Sequence, residues 1–317
     1  MELSITNNEH VELKTTASLI IDPKNLVTLN EDDVYLFSHL SSGLLKVLGD
    51  SSRKNTVYLP QMLFKHLQKL VLSKFIEPLN FENIKSFPYE YPLSILGVNV
   101  TAFLSDDGTN GAISLLLEYD SKKIGYTGRF VTQGLHKKRI KKWKKHFQEA
   151  RLDLLLLDSS VLKKADIFVS NTKKFKRFLT QTPADTLTSV KLSYLAPEQI
   201  LDFQTIAESL GKKLLLAPQY QALTQDLFPF YDFYALTEKS LEQALADPEA
   251  YLLQADVVVN KGTVYNKVED LSLDQIPADQ SLSELKEIVH VISPKEIFTY
   301  GDHELKDFTP LTTTRFE

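Results

Sequence analysis

The chain has 317 residues, 43% of them apolar and 24% charged, with a net charge of −5 and no cysteine. That composition suits a globular protein of one large or two medium domains, and it excludes disulfides, thiolate metal sites and thiol nucleophiles. The acidic balance argues against generic polyanion binding, no apolar run is long enough to span a bilayer, and the opening MELSITNNEHVELK lacks a basic-then-apolar signal pattern, so a cytoplasmic protein without membrane association is expected.

Residues 17–22 (ASLIID) read as a short apolar strand stopped at Asp22-Pro23, and residues 33–38 as a second strand that runs into Ser38-His39. The stretch NTVYLP (55–60) reads as a third, with Pro60 opening a helix that carries Leu63, Leu67, Leu70 and Val71 at helical spacing. ILGVNVTAFLS, AISLLLEYD and KIGYTGRF are separated by Asp-Gly, Asn-Gly and Thr-Gly, the punctuation of antiparallel neighbours. A basic helix follows, then LDLLLLDSS, a near-continuous apolar run typical of a strand buried on both faces. Further on, SVKLSYL (189–195) reads as a strand. PEQILDFQTIAESLGKK reads as a helix with Ile200, Phe203, Ile206 and Leu210 on one face, and KLLLAP (213–218) as a strand, an order that predicts a parallel unit. EAYLLQADVVVN supplies one more strand, and the chain closes with a helix over 281–292 and the strand EIFTY.

Three segments, DVYLFSHLSSGLL, GAISLLLEYDSKKIGYTGRFVTQG and LDLLLLDSSVL, occur in an order and spacing that resembles the metallo-β-lactamase superfamily, and within it the β-CASP, ribonuclease J-like branch. The resemblance implies an α/β fold, a four-layer αββα sandwich with a smaller β-CASP-like α/β insert. The implied organisation is a core over 1–175, the insert over 176–265 and the closing part of the core over 266–317. It also implies where metal ligands would stand. His39 matches the first histidine of the family's Ser-His-x-His-x-Asp-His motif, but Ser41, Gly43 and Leu44 occupy its second histidine, its aspartate and its last histidine. The next histidine falls on or near Asp107, the bridging aspartate on Arg129, the Gly-His motif on Ala278-Asp279, the last histidine near Gly301, and Asp158 fits the acidic residue after the buried strand.

A hydrolytic zinc site needs at least three placed N or O ligands and an open position for water. Serine, glycine and leucine offer nothing equivalent, and an arginine at the bridging position brings a permanent positive charge. The expectation is therefore a pseudoenzyme without a cofactor. Its vestigial site is His39, Asp107, Arg129, Asp158 and Asp279, with Arg129 paired to Asp107 or Asp279, or holding a phosphate. The alternative is a metal-dependent hydrolase or ribonuclease, with zinc in a divergent site built from His39, Asp107, Asp158 and Asp279.

The helix GLHKKRIKKWKKHFQEAR concentrates Lys137, Lys138, Arg139, Lys141, Lys142, Lys144 and Lys145 around the docking positions Ile140, Trp143 and Phe147. A second cluster holds Lys173, Lys174, Lys176 and Arg177. Either these are solvated faces or, with Arg129, they neutralise the phosphates of RNA or another polyanion. The remaining candidates for a partner are another protein or a second copy of the chain. No P-loop, dinucleotide-binding glycine fingerprint, nucleophile elbow or His-Glu-x-x-His is present.

Overall fold

The computed structural model describes residues 2–6, 10–27, 29–132, 134–158, 171–184, 186–254, 268–271, 282–300 and 313–315. It is an α/β protein of two units, residues 1–67, 77–167 and 278–317 forming the first and residues 68–76 and 168–277 the second.

The first unit is built on two sheets. One has seven strands: β1 (Glu2–Thr6), β2 (His10–Lys14), β3 (Ser18–Ile21), β4 (Val34–Leu36), β5 (Val57–Pro60), β6 (Ile84–Phe87) and β18 (Thr313–Arg315), in the order β18-β1-β2-β3-β4-β5-β6. β3 to β6 are parallel. The other has six: β7 (Pro92–Ile95), β8 (Val98–Leu104), β9 (Ile113–Tyr119), β10 (Lys122–Tyr126), β11 (Leu154–Asp158) and β17 (Glu296–Tyr300), in the order β17-β11-β10-β9-β8-β7. The three runs expected to be antiparallel are β8 to β10, but the first is broken by a left-handed turn at Leu96-Gly97, which makes its start the end of a further strand, β7; β10, β11 and β17 are parallel.

Side-chain alternation decides how these sheets stack. Leu19, Ile21, Val34 and Leu36 of the first sheet share one apolar cluster with Val98, Val100, Ile113, Leu115, Ile124 and Leu154 of the second, so the sheets pack face to face. Leu155 and Leu157 point the other way, into a cluster with Ile140, Trp143 and Phe147 of α3 (Lys137–Ala150) and Leu285, Ile288 and Ile292 of α8 (Leu282–Ile292). The run of leucines in β11 is thus buried on both faces, as read. On the first sheet Ile20, Phe37 and Leu59 alternate away from the shared core and are buried too. α1 (Ser42–Gly49) and α2 (Gln61–Leu72) add Leu44, Val47, Leu48, Leu63 and Leu67 to the interior. Strands β1 and β2, an antiparallel pair on either side of Asn7-Asn8, were not read from the sequence.

The second unit carries a wholly parallel sheet of β12 (Leu187–Val190), β13 (Lys213–Leu216), β14 (Tyr234–Ala235), β15 (Tyr251–Gln254) and β16 (Val268–Leu271), in the order β14-β13-β15-β12-β16. The expected insert, 176–265, falls within this unit. Its strand expected over 189–195 instead ends at Val190, because Ser193 turns the chain: its Oγ accepts from Leu195 N at 3.2 Å and its carbonyl from Ala196 N at 3.1 Å. α5 (Pro197–Ser209) buries Ile200, Phe203 and Ala207, whereas Leu210 lies past its end and is exposed. β12 and β13 are parallel but not adjacent, with β15 between them. Among the described residues, no helix is long and apolar enough to cross a membrane.

Candidate functional site

In the first unit the carboxyl ends of β3, β4, β8, β10, β11 and β17 share one edge. The two sheets are joined there: Ile113 N donates to the Ser38 carbonyl at 2.9 Å, and Tyr126 Oη donates to Asp22 Oδ2 at 2.7 Å.

Asp22 organises this edge. The strand ladder continues through its amide, which donates to the Leu36 carbonyl at 3.0 Å, and the chain then turns in a left-handed conformation with φ of 47°. Its carboxylate accepts from Ser38 N at 2.7 Å, from Ser38 Oγ and from Tyr126 Oη, and it faces His39 Nδ1 at 3.6 Å. Ser38 Oγ also lies 3.0 Å from that ring nitrogen. Burial opposes charge on both partners, but the pair overcomes it. Against that penalty, the His39 charge and the three donors hold Asp22 below the usual carboxylate range. For His39, burial is likewise outweighed by Asp22, with Asp107 and Asp158 adding their fields, so its pKa is raised. His39 is therefore a strand-end histidine with fixed partners. The partner itself was missed, because an Asp-Pro after a strand reads only as a turn.

Asp107 and Asp158 come to this edge, close enough for their charges to act on His39. Asp107 is almost fully buried in the β8–β9 loop; its Oδ1 accepts from Thr109 N at 2.8 Å and Thr109 Oγ1 at 2.6 Å, while Oδ2 has no hydrogen-bond partner. Asp158 closes β11, its amide donating to Thr127 Oγ1 at 3.1 Å. The neighbouring Asp106, unnoticed in the sequence, ties the segment before α3 to this loop. Its Oδ2 accepts from His136 N at 2.5 Å and its Oδ1 from Gly108 N at 3.0 Å, and burial raises its pKa.

The backbone of Arg129 reaches the same edge. Gly128, at φ 57°, sits so tightly that a Cβ would lie 2.5 Å from the Ile113 carbonyl and 3.0 Å from Ser38 Oγ. The expected ion pair between Arg129 and Asp107 does not form. Asp107 is turned onto its own loop through Thr109, and Arg129 Nε is buried without a hydrogen-bond partner. Asp279, the other expected partner, lies outside the described residues.

Three positions of the first motif where the resemblance would put ligands have structural roles; Ala278 and Gly301 lie, like Asp279, outside the described residues. Ser41 caps α1, its Oγ accepting from Leu44 N at 3.1 Å. Leu44 is fully buried in the interior. Gly43 lies against the chain after β3, where a Cβ would stand 1.7 Å from the Pro23 carbonyl oxygen, so no side chain fits. Among the described residues, no three His, Cys, Asp or Glu side chains are arranged to hold a metal ion.

The basic helix α3 docks through Ile140, Trp143 and Phe147 as read, but its outer face is partly neutralised. Lys142 meets Glu90 at 2.5 Å, Lys144 meets Glu287 at 3.5 Å and Lys145 meets Glu149 at 3.6 Å. Lys137 and Arg139 are engaged as well, while Lys138 and Lys141 are exposed. The second basic cluster lies on α4 (Asn171–Gln181) of the second unit.

No family model and no curated protein matches the chain. Among solved structures that match is the crystal structure of a protein of unknown function from Enterococcus faecalis V583, with a TM-score of 0.68 and 14% identity over 99% of this chain and 98% of that one. That likeness establishes a shared fold along nearly the whole chain.

Proposed function

We propose that this is a binding protein on a metallo-β-lactamase-type scaffold with a β-CASP-like second unit, no longer catalytic, whose partner is RNA or another polyanion held along α3. The observation that carries the loss of catalysis is Gly43. The Pro23 carbonyl occupies the space a ligand side chain there would need. This supports a site that cannot regain a ligand at position 43 by a simple side-chain substitution. The described residues do not fit a two-metal centre, and no catalytic step is derived through one.

A second reading, a metal-dependent hydrolase or ribonuclease, draws on Asp107 Oδ2, buried without a partner, and on the fields of Asp107 and Asp158 at His39. Zinc titration of chelator-treated protein by calorimetry separates the two. The binding reading expects no stoichiometric uptake, whereas saturation at one or two zinc ions per chain would establish the second reading in its place.

The polyanion reading rests on the exposed Lys138 and Lys141 and on ion pairs at the surface. Such pairs contribute only about 0–1 kcal/mol and exchange readily for phosphate. RNA retention should fall steeply between low and moderate salt, and fall further when Lys138, Lys141 and Lys145 are changed to Glu. Equal retention by the wild type and this variant would point to a protein partner instead.

A further inference from the structure

The seven-stranded sheet has a second polar end. At the amino-terminal ends of β4 and β5, opposite the His39 edge, lies a cavity of about 560 Å³. Leu26, Val27, Leu29 and Tyr35 contribute apolar surface to its lining, and Arg53, Lys54 and Asn55 polar groups. The volume falls within the range of small-molecule sites, and an apolar lining with a few fixed polar groups is how such sites are made.

Arg53 sets the chemistry. It is only 6% exposed. Its Nη1 donates to the Asn55 carbonyl at 2.5 Å, and its Nη2 to the carbonyls of Asn80 at 2.9 Å and Glu82 at 2.8 Å. Nε is buried out of solvent's reach and Nη2 is fully used, so the donor left for a ligand is the second N–H of Nη1, whose other N–H takes the Asn55 carbonyl. Among the described residues, no carboxylate stands at ion-pair distance from it. A guanidinium does not shed its proton within a protein, so a full charge is buried against neutral carbonyls. Buried charges are otherwise paired. Burial works against this charge, lowering its pKa, with Asp50, Tyr35 and Glu82 acting from farther away in the opposite sense.

We propose that this cavity binds a small monocarboxylate with an apolar body, the carboxylate directed to Arg53 and the body lying against Leu26, Val27, Leu29 and the Tyr35 ring. The site is already assembled. Tyr35 Oη donates to the Val27 carbonyl at 3.0 Å, and Asn55 Nδ2 donates to the carbonyls of Asn30 at 2.8 Å and Asp33 at 3.0 Å, so the lining is tied together. Lys54 adds a positive charge at the rim. Glu31 and Asp50 also stand at the rim, and they disfavour ligands of higher negative charge such as phosphate.

The test is an amide-detected NMR titration of the labelled full chain with phenylacetate, its neutral analogue phenylacetamide, and inorganic phosphate. Phenylacetate should saturate and move the amides of Ser52, Arg53 and Asn55. Phenylacetamide should bind about tenfold more weakly for want of the charge-assisted bond, and phosphate should not saturate. Arg53 clamps three carbonyls, so its replacement would disturb the fold. Leu29→Trp instead fills the cavity and should abolish phenylacetate binding while leaving amide positions elsewhere unchanged. Equal binding of acid and amide, shifts confined to the His39 edge, unchanged affinity in Leu29→Trp, or no saturation by phenylacetate would each overturn the proposal.

Discussion

His39 and Arg53 are buried cationic side chains at opposite ends of one sheet, and their surroundings could hardly differ more. His39 meets Asp22 directly and feels Asp107 and Asp158. Arg53 meets three carbonyl oxygens and no carboxylate at contact distance among the described residues. At the carboxyl edge the Pro23 oxygen lies against Gly43, and His39 has a carboxylate, Asp22, directly beside it. At the amino edge a cavity remains beside a guanidinium whose contacts are carbonyls, with Asp50 acting only from farther away. The edge that the resemblance marks as the site is the closed one, and the edge without a motif is the open one.

The contrast can be broken at the closed end first. Gly43→Asp drives a side chain into the Pro23 carbonyl, and the loss should be about 3 kcal/mol or more in urea unfolding. A loss under about 1 kcal/mol would mean the edge still has room. Asp22→Asn comes next, removing the counter-charge of His39 and placing an amide donor among donors, at a cost of about 2–3 kcal/mol.

That second variant also has a pH signature. The raised His39 contributes stability that is fully present below its ordinary value of 6.5 and is lost as pH rises through the folded value. The lowered Asp22 contributes stability present above its ordinary value of 3.8 and lost as pH falls through the folded value. The gap between wild type and Asp22→Asn should therefore be widest between these two pH values and narrow on either side. A gap independent of pH from 3 to 9 would uncouple the pair.

Tyr126→Phe removes a single donor to the Asp22 carboxylate and should cost about 1.5 kcal/mol by the same measurement. Its ring would keep its stack on Tyr300, at 5.0 Å between centroids, so a loss several times larger would show that the hydroxyl has a wider part. The smallest effect belongs to Lys142→Ala. Its pair with Glu90 lies at the surface, and the change should be below about 0.5 kcal/mol and shrink with salt.

What was legible in the sequence was what one element decides by itself. The leucine run of β11 had to be buried on both faces, and the spacing of Ile140, Trp143 and Phe147 had to dock one side of a basic helix. The antiparallel β8 to β10 followed from glycine-bearing turns between alternating runs, whereas the turn at Leu96-Gly97 that sets off β7 was read through. The site was legible only as a set of positions. Asp22 takes its meaning from Ser38 and Tyr126, 16 and 104 residues away, and no local pattern announces that. Gly43 read as an absent ligand, while its steric reason lies in Pro23, which only the fold brings against it. Arg53 drew no notice because an isolated arginine in a polar loop is ordinary until its carbonyl partners at residues 55, 80 and 82 are in place.

The pairing of β11 with β17 has a consequence for how the chain is made. β17 begins roughly 140 residues after β11 ends, so during synthesis β11 waits for its outer neighbour while the whole second unit emerges. At ~5–20 residues per second that interval is on the order of ten seconds. Through it, a strand of four leucines keeps an unpaired parallel edge, the kind of edge that recruits other chains. The nascent protein is most vulnerable to aggregation in that interval, and chaperone capture during translation should concentrate there.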